Sequence, residues 1–511
     1  GAFCEVGRGP TIDLPSMAET KWGSIEAVVN GDLVDVPADA SYLSVVLMWL
    51  TLLVNLIQGI LGGLIKPVFV FFSIGSTKCS CTTTCGSTMG SELAGRPCHM
   101  AWTWWRWDLS ALLALVANGK SRLALFMWEW EAFGRGAWWW HGEGVWCWSY
   151  ADCQRILKAD QVRKVAFGAI KACVPDLYPK NLLIFLPSGA GTQWASIRSL
   201  VHELFLDNGT ETYAARMAEL PQKLSGDWAS PKLEHLSDFV RVQTSVSKCL
   251  FFMLFGKWVT DDEATMLTGW RTNAKFWILP RMVHRFLFNI GIGKVKALRV
   301  KTIRLIEKYN LQEVFVGMND RLPAEYRRAD VVELCDEVMF AIGFAGIGGT
   351  CAAVESVGAF LQCKIPAESA AKHIKWGDYG TSAKMVAKYR ANPETYIRET
   401  LRMDPPVTSA TNVLKEPTTV KLNGRDFDMP AGMLNQYVHS MANRDESVFP
   451  DPDTFNPDRG NLNEALTWNG AFGSAEEASY PRICPGRHLS LDLARAILGH
   501  AVGSASVEAS V

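Results

Sequence analysis

The segment that decides the fold is Arg482-Ile483-Cys484-Pro485-Gly486-Arg487, which leads into an amphipathic stretch from His488 to about His500. A cysteine in a loop that enters a helix lies near backbone amide donors and the positive end of the helix dipole, and both favour the thiolate. Gly486 permits a close backbone turn at the start of that helix. On its own the segment also fits a buried, unreactive thiol, so its meaning depends on the rest of the chain.

Three segments upstream of this cysteine supply the context. Glu399-Thr400-Leu401-Arg402 places a glutamate and an arginine three residues apart, on one face of a predicted helix. Phe455-Asn456-Pro457-Asp458-Arg459 adds a second arginine. In Trp194-Ala195-Ser196-Ile197-Arg198 an indole ring and a guanidinium lie four residues apart, again on one helical face. Each segment alone describes an ordinary helix surface or loop.

Taken in this order, the four segments resemble the cytochrome P450 superfamily of haem-thiolate enzymes. The resemblance runs from about Val145 to the C-terminus and is strongest from Asp330 onward. It implies haem b as cofactor, with Cys484 as the metal ligand, a thiolate that favours cleavage of O–O bonds. It implies that two arginines bind the haem propionates, and the residues assigned to the cofactor are Trp194, Arg198, Arg482, Ile483 and Gly486. It also implies a Glu-Arg-Arg triad that fixes the cysteine-bearing segment, formed by Glu399, Arg402 and Arg459.

The loop before the cysteine departs from the usual pattern of that superfamily. The pattern has a phenylalanine seven residues before the ligand and a glycine four before it, but here these positions are Glu477 and Tyr480. A long approach instead begins at Trp468-Asn469-Gly470. This extended loop resembles the allene oxide synthase and hydroperoxide lyase branch of the superfamily.

The predicted distal helix also departs from the pattern of monooxygenases. In Ala345-Gly346-Ile347-Gly348-Gly349 the acid and alcohol positions that deliver protons to oxygen are both glycine, and only Thr350 follows as a donor. Glycines inside a helix cost about 1 kcal/mol each relative to alanine, which favours a close approach to a haem face or substrate. Residues 343–349 resemble the Gly-Phe-Asn-x-x-Gly-Gly of the hydroperoxide branch, but Ala345 replaces its substrate-contacting asparagine.

These departures predict an enzyme that rearranges or cleaves a fatty-acid hydroperoxide, a lipophilic substrate, without a reductase. The residues expected at the reacting centre are Cys484, Ala345, Gly346 and Thr350. One alternative is a reductase-dependent monooxygenase that takes protons through Thr350 or an ordered water. Another alternative, from a different class, is a haem-binding protein without turnover.

Composition sets the outer limits of the fold and of the partners. The chain has 511 residues, of which 48% are hydrophobic and 20% charged, as in a large folded protein. With 51 basic and 52 acidic residues it has no overall basic field, so nucleic acid is not an expected partner. Its 13 dispersed cysteines exclude a small disulfide-stapled scaffold. Long stretches of helical periodicity and few strand-like runs predict a mostly α fold with a small β portion.

The start of the chain predicts attachment to a membrane. Leu43 to Ile65 carries no charge and is long enough to cross a bilayer, although a buried helix or an uncleaved targeting segment would look similar. The expected organisation is an N-terminal segment at 1–41, a transmembrane helix at 42–66, a linker at 67–100 and the haem-thiolate domain at 101–511. The expected location is an endoplasmic reticulum or plastid membrane. Only 27 residues follow Cys484, so the sequence predicts either a domain truncated at its C-terminus or an open substrate pocket.

Overall fold

The computed structural model describes a large body that begins at residue 144 and a short piece near the start of the chain. The described residues are 22–25, 144–147, 149–159, 161–164, 183–184, 186–206, 210–228, 231–273, 290–366, 369, 374–408, 410–422, 425–429 and 434–503. The predicted transmembrane helix, the predicted linker and the final residues of the chain lie outside this part.

Helices dominate the described residues, as the periodicity predicts. In chain order they are α1 Tyr150–Lys158, α2 Gln193–Leu206, α3 Thr210–Asp227, α4 Phe239–Phe255, α5 Asp261–Thr272, α6 Ile290–Lys308, α7 Gln312–Arg321, α8 Val331–Phe340, α9 Gly348–Leu361, α10 Ser382–Ala391, α11 Pro393–Met403, α12 His439–Ala442 and α13 Arg487–Val502. Local sequence sets several of their ends. The Asp238 side chain accepts a hydrogen bond from the amide of Arg241 at the start of α4, and Gly256 ends that helix at a φ of 67°.

The strands of the described residues form two small sheets. They are β1 Gly144–Cys147, β2 Gln161–Lys164, β3 Ala410–Leu414, β4 Thr418–Leu422, β5 Arg425–Met429 and β6 Leu434–Tyr437. The first sheet has the order β1-β6-β3-β2, in which β1 runs parallel to β6 and the other pairs are antiparallel. The second is the hairpin β4-β5, whose register pairs Leu422 with Arg425.

One long helix runs through the core. The central helix, Val331–Leu361, consists of α8, a π-helical segment at Ala341–Ile347, and α9, and it packs against α4, α5 and α13. Among the described residues it is the helix long and apolar enough to cross a membrane, with a mean hydropathy of 1.6. Two thirds of its apolar window (67%) is buried inside the protein, which accounts for that composition.

A smaller core joins the first sheet to the loop that carries Cys484. From α1 it takes Tyr150, Cys153, Ile156 and Leu157, which are buried against the strand residues Leu414 and Tyr437. The loop contributes Tyr480 and Ile483 to the same cluster. The sheet therefore supports the segment just before the cysteine, whereas the helices support the segment just after it.

The described body has the mostly helical fold with a small β portion that the sequence predicts. Asp330 is the N-cap residue of α8, but its side chain makes no capping hydrogen bond to the helix. The amide of Val332 donates instead to the carbonyl of Trp22 at 2.9 Å, so a distant segment satisfies the helix end.

Candidate haem-thiolate site

The loop around Cys484 is fixed by backbone hydrogen bonds on both sides of the cysteine. Its amide donates to the carbonyl of Trp468 at 2.7 Å, and its own carbonyl accepts from Arg487 Nη1 at 3.0 Å. The side chain is a thiol outside any disulfide, with intermediate exposure. Gly486 stands at the N-cap of α13, and a Cβ there would lie 3.2 Å from the ring of Phe205, so the glycine lets α2 approach closely. The sulfur is thus presented at a helix start, where a thiolate is favoured.

Two guanidinium groups flank one indole ring beside this loop. Arg198 and Arg482 each lie 5.1 Å from the ring of Trp194, in the geometry of a cation–π contact. Arg198 donates to the carbonyl of Ile483, and Arg482 donates to the carbonyls of Ile184 and Leu186. The predicted haem-binding residues are therefore brought together around the cysteine loop.

The environment of Arg198 tests whether a haem fits. Burial lowers the pKa of Arg198 to about 10, against the opposing influence of the nearby Cys484 and with a further decrease from Arg487. Among the residues that the structure describes, no carboxylate forms an ion pair with Arg198. A half-buried guanidinium that lacks an acidic partner suits a carboxylate ligand such as a haem propionate. The donor set fits the cofactor: one thiol for the iron and a cationic cradle for the propionates.

The central helix has an uncovered surface on its π-helical segment. Ala345 is exposed and Phe344, Gly346, Gly348 and Gly349 are partly exposed, although α8 and α9 on either side are mostly buried. A π-helical segment inside a long helix is a frequent feature of functional sites. Most of its exposed residues are alanine or glycine, so little side-chain bulk covers the backbone there. This is the surface on which the sequence predicts the distal side of the site.

Thr350 does not share this uncovered surface. Its side chain is 2% exposed, and its hydroxyl forms a 3.0 Å hydrogen bond with the hydroxyl of Ser490 on α13. This contact joins the central helix to the helix that follows Cys484. The hydroxyl predicted as a proton donor is thus engaged between two packed helices.

The structure brings the predicted Glu-Arg-Arg triad together in a buried cluster. Arg402 donates two hydrogen bonds to the carboxylate of Glu399, from Nε at 2.7 Å and from Nη2 at 2.9 Å. Arg459 Nε donates to the same carboxylate at 3.2 Å. Both Glu399 and Arg402 are fully buried. The amide of Asn456 also donates to Glu399, at 2.9 Å. A carboxylate with this many donors is held in one orientation.

A chain of hydrogen bonds connects the triad to the cysteine loop. Arg402 Nη1 donates to the carbonyl of Asn443 at 2.7 Å, and the side chain of Asn443 accepts from the amide of Leu466 at 2.7 Å. Leu466 lies two residues before Trp468, whose carbonyl receives the amide of Cys484. The triad therefore positions the cysteine through Asn443, a residue that the sequence analysis did not single out.

Phe472 is a second residue that the sequence analysis missed. It is 3% exposed and lies between Trp468, at a ring distance of 4.9 Å, and His488 of α13, at 4.8 Å. The Arg398 guanidinium stacks over the same ring at 4.3 Å. Phe472 is twelve residues before the cysteine instead of seven, so the inserted residues displaced it from the expected spacing. The Phe-Gly pair at 472–473 was the signal that could have found it.

Comparisons with known proteins agree with this geometry. The sequence model of the cytochrome P450 family, described as "Cytochrome P450", matches residues 394–503, which contain the triad helix, the cysteine loop and α13. Cytochrome P450 119 of Sulfurisphaera tokodaii is 44% identical over 63 residues. That match covers 12% of this chain and 16% of the relative, so the chain matches only about a sixth of the relative's length.

One solved structure reaches a TM-score of 0.50 and has the same fold, and a second is similar at a lower score. Mycobacterium smegmatis CYP164A2 with econazole bound has a TM-score of 0.50 at 16% identity, with 77% of this chain and 92% of that chain covered. P450BioI in complex with an acyl carrier protein ligated to hexadec-9Z-enoic acid has a TM-score of 0.47 at 18% identity, with 72% and 85% covered.

The body of this chain therefore has the fold of the cytochromes P450, and residues 394–503 match the sequence model of that family. The cofactor of the family is haem b, as the sequence analysis predicts. The comparisons do not support the finer assignment to the allene oxide synthase and hydroperoxide lyase branch.

Proposed function

We propose that this protein is a haem-thiolate enzyme that rearranges or cleaves a lipophilic hydroperoxide, such as a fatty-acid hydroperoxide, without a reductase. When bound, haem with a thiolate ligand supplies cleavage of an O–O bond. Cys484 would be the ligand, and Arg198 and Arg482 beside Trp194 would hold the propionates. In such a reaction the peroxide is reduced while the carbon chain of the same molecule is oxidised, so no external electron is required.

The observation that carries the proposal is the chemistry of the uncovered surface on the central helix. Its exposed position is Ala345, its neighbours include three glycines, and the hydroxyl of Thr350 is buried against Ser490. Activation of dioxygen requires protons delivered at this place, whereas a hydroperoxide arrives with its O–O bond already formed. Among the described residues, this surface has neither an acid nor an alcohol that is not already hydrogen-bonded, which suits the second kind of substrate.

A reductase-dependent monooxygenase is the second candidate, and one residue favours it. The hydroperoxide branch carries an asparagine where this chain has Ala345, so a polar group that would contact the peroxide is replaced by a methyl group. An ordered water could then supply protons beside Ala345. A monooxygenase of this kind requires an electron-donor protein as a partner.

The deciding experiment follows the diene absorbance of a fatty-acid hydroperoxide mixed with the haem-loaded protein, in the absence of NADPH and reductase. Rapid loss that disappears in Cys484→His, which can still bind iron, supports the proposal. Ala345→Asn is expected to increase the rate several-fold if the surface binds the peroxide as proposed. No loss, together with a normal thiolate spectrum of the reduced carbon-monoxide complex, favours the monooxygenase. No thiolate spectrum indicates a haem-binding protein without turnover or a protein without haem.

Membrane association is a further part of the proposal and rests on the sequence. The uncharged stretch from Leu43 to Ile65 supports it, and so does a lipophilic substrate. An endoplasmic reticulum or plastid membrane would suit such a protein. Fractionation of the full chain, with a variant that lacks residues 42–66 as control, tests this part without reference to catalysis.

A further inference from the structure

The carboxylate of Glu477 lies at the centre of the loop that leads to Cys484. It occupies the position seven residues before the cysteine, where the cytochrome P450 pattern has a phenylalanine. Its Oε1 pairs with Arg487 Nη2, and its Oε2 accepts the backbone amide of Gly473 at 2.8 Å. Arg487 Nη1 donates in turn to the carbonyl of Cys484 at 3.0 Å. A carboxylate, a guanidinium and the cysteine carbonyl therefore form one continuous chain of contacts.

The burial of Arg487 explains why it needs this acidic partner. Its side chain is 11% exposed, and its guanidinium lies 5.7 Å from the ring of Phe472. A buried cation without a counter-charge is costly, and Glu477, whose side chain is 22% exposed, provides that charge. The adjacent Glu476 differs, because its side chain is 57% exposed and pairs with Lys158 at the surface.

We propose that Glu477 is a positioning residue for Cys484. Through Arg487 it holds the carbonyl of the cysteine, and through the amide of Gly473 it fastens the inserted part of the loop to the same group. Phe472 thereby fills the aromatic position of the usual pattern, and the ion pair fixes the inserted residues between Phe472 and Cys484. This inference rests on the proposed haem-thiolate site but does not depend on which substrate the enzyme takes.

A double-mutant cycle on the haem-loaded protein tests the inference. The variants are Glu477→Gln, Arg487→Met and the combination of both, with Glu476→Gln as the matched control. We measure the rate of haem transfer to excess apomyoglobin and the absorption band of the reduced carbon-monoxide complex. Loss of the charged hydrogen bonds is expected to accelerate haem loss about tenfold in each single variant. A fraction of the reduced carbon-monoxide complex should also lack the absorption band of haem with a thiolate ligand.

The double variant decides whether Glu477 acts through Arg487. Since both residues belong to one chain of contacts, the combined variant should lose haem no faster than Arg487→Met alone. The inference would be overturned if the two single variants multiplied their effects on the rate of haem loss in the double variant. It would also be overturned if Glu476→Gln lost haem as fast as Glu477→Gln. If Glu477→Gln does not fold, the double variant Glu477→Asp with Arg487→Lys replaces it, because this variant preserves both charges. It should show part of the thiolate band of the wild-type protein. A complete loss of that band would contradict the inference. A wild-type protein without the band contradicts the proposed function instead.

Discussion

The backbone amide of Cys484 donates to the carbonyl of Trp468 at 2.7 Å, which closes the long loop between these two residues. Ordering such a loop costs conformational entropy at about 1–2 kcal/mol per residue. The closure therefore has to be supported from outside the loop. That support comes through Leu466 and Asn443, which connect Trp468 to the buried triad of Glu399, Arg402 and Arg459.

The first prediction concerns Asn443 as this connection. Asn443→Ala leaves the buried amide of Leu466 without its 2.7 Å acceptor, which costs about 1–3 kcal/mol. We expect faster haem loss and a lower denaturant midpoint for the haem-loaded protein. Asn463→Ala is the control, because Asn463 is exposed and accepts a hydrogen bond from Arg398 at 3.0 Å. Equal effects of the two variants would contradict a specific role of Asn443.

The second prediction compares two glutamates on α11. Glu399→Gln removes the charge that Arg402 and Arg459 share, and breaking a buried ion pair from one side costs about 3–5 kcal/mol. Glu394 forms a surface pair with Arg398 at 2.8 Å, so Glu394→Gln should cost less than about 1 kcal/mol. Urea unfolding monitored by circular dichroism measures both. Comparable midpoints would show that the buried cluster does not stabilise the fold.

The third prediction concerns the glycines of the central helix. A Cβ on Gly343 would lie 2.3 Å from Trp270, which is fully buried, so Gly343→Ala overpacks the core by about 1–3 kcal/mol. A Cβ on Gly349 would have no described atom within 4 Å, and Gly349→Ala should stabilise the helix by up to about 1 kcal/mol. Thermal unfolding of both variants tests whether their changes in stability have opposite signs. A Gly343→Ala variant as stable as the wild type would contradict the packing around Trp270.

The sequence predicts the cysteine loop and the triad because their chemistry requires fixed residue types at short spacings. Glu399 and Arg402, for example, lie on one face of one helix, so their contact follows from the helical repeat. Asn443 and Phe472 were missed because their partners are far along the chain, and only the fold brings them together. Thr350 is adjacent to the glycine cluster in sequence, but the turn of the helix directs its hydroxyl to Ser490.

The fourth prediction is a pH dependence of stability from Glu263. Burial alone would raise its pKa, but hydrogen bonds from Lys308, Tyr309 and the amide of Thr260 outweigh burial and lower the pKa to about 2 from 4.5. The lower pKa in the folded state means that this contribution is present above pH 4.5 and is lost as the pH falls towards 2. We expect Glu263→Gln to destabilise by about 1 kcal/mol at pH 7, because solvent screens the pair with the exposed Lys308.

That difference between wild type and Glu263→Gln should shrink as the pH is lowered from 4.5 towards 2. Thermal unfolding at several pH values measures it. Glu219→Gln, which removes a surface pair with Lys223 at 2.9 Å, is the control and should show little effect at any pH. A difference that stays constant with pH would contradict a lowered pKa at Glu263.

The last prediction concerns the side of a membrane on which the N-terminal segment lies. Trp22 is 6% exposed, its ring lies 6.1 Å from that of Phe315, and its Nε1 donates to Glu307 at 3.1 Å. One membrane crossing between Ile25 and Gly144 would place Trp22 and the body on opposite sides. We therefore expect no crossing, or an even number of crossings, between these two residues. Protease treatment of sealed vesicles that carry the full chain, tagged at both ends, should remove both tags or neither. Removal of one tag alone would show that the Trp22 contacts do not form in the membrane-bound protein, and in that case Trp22→Ala should leave stability unchanged.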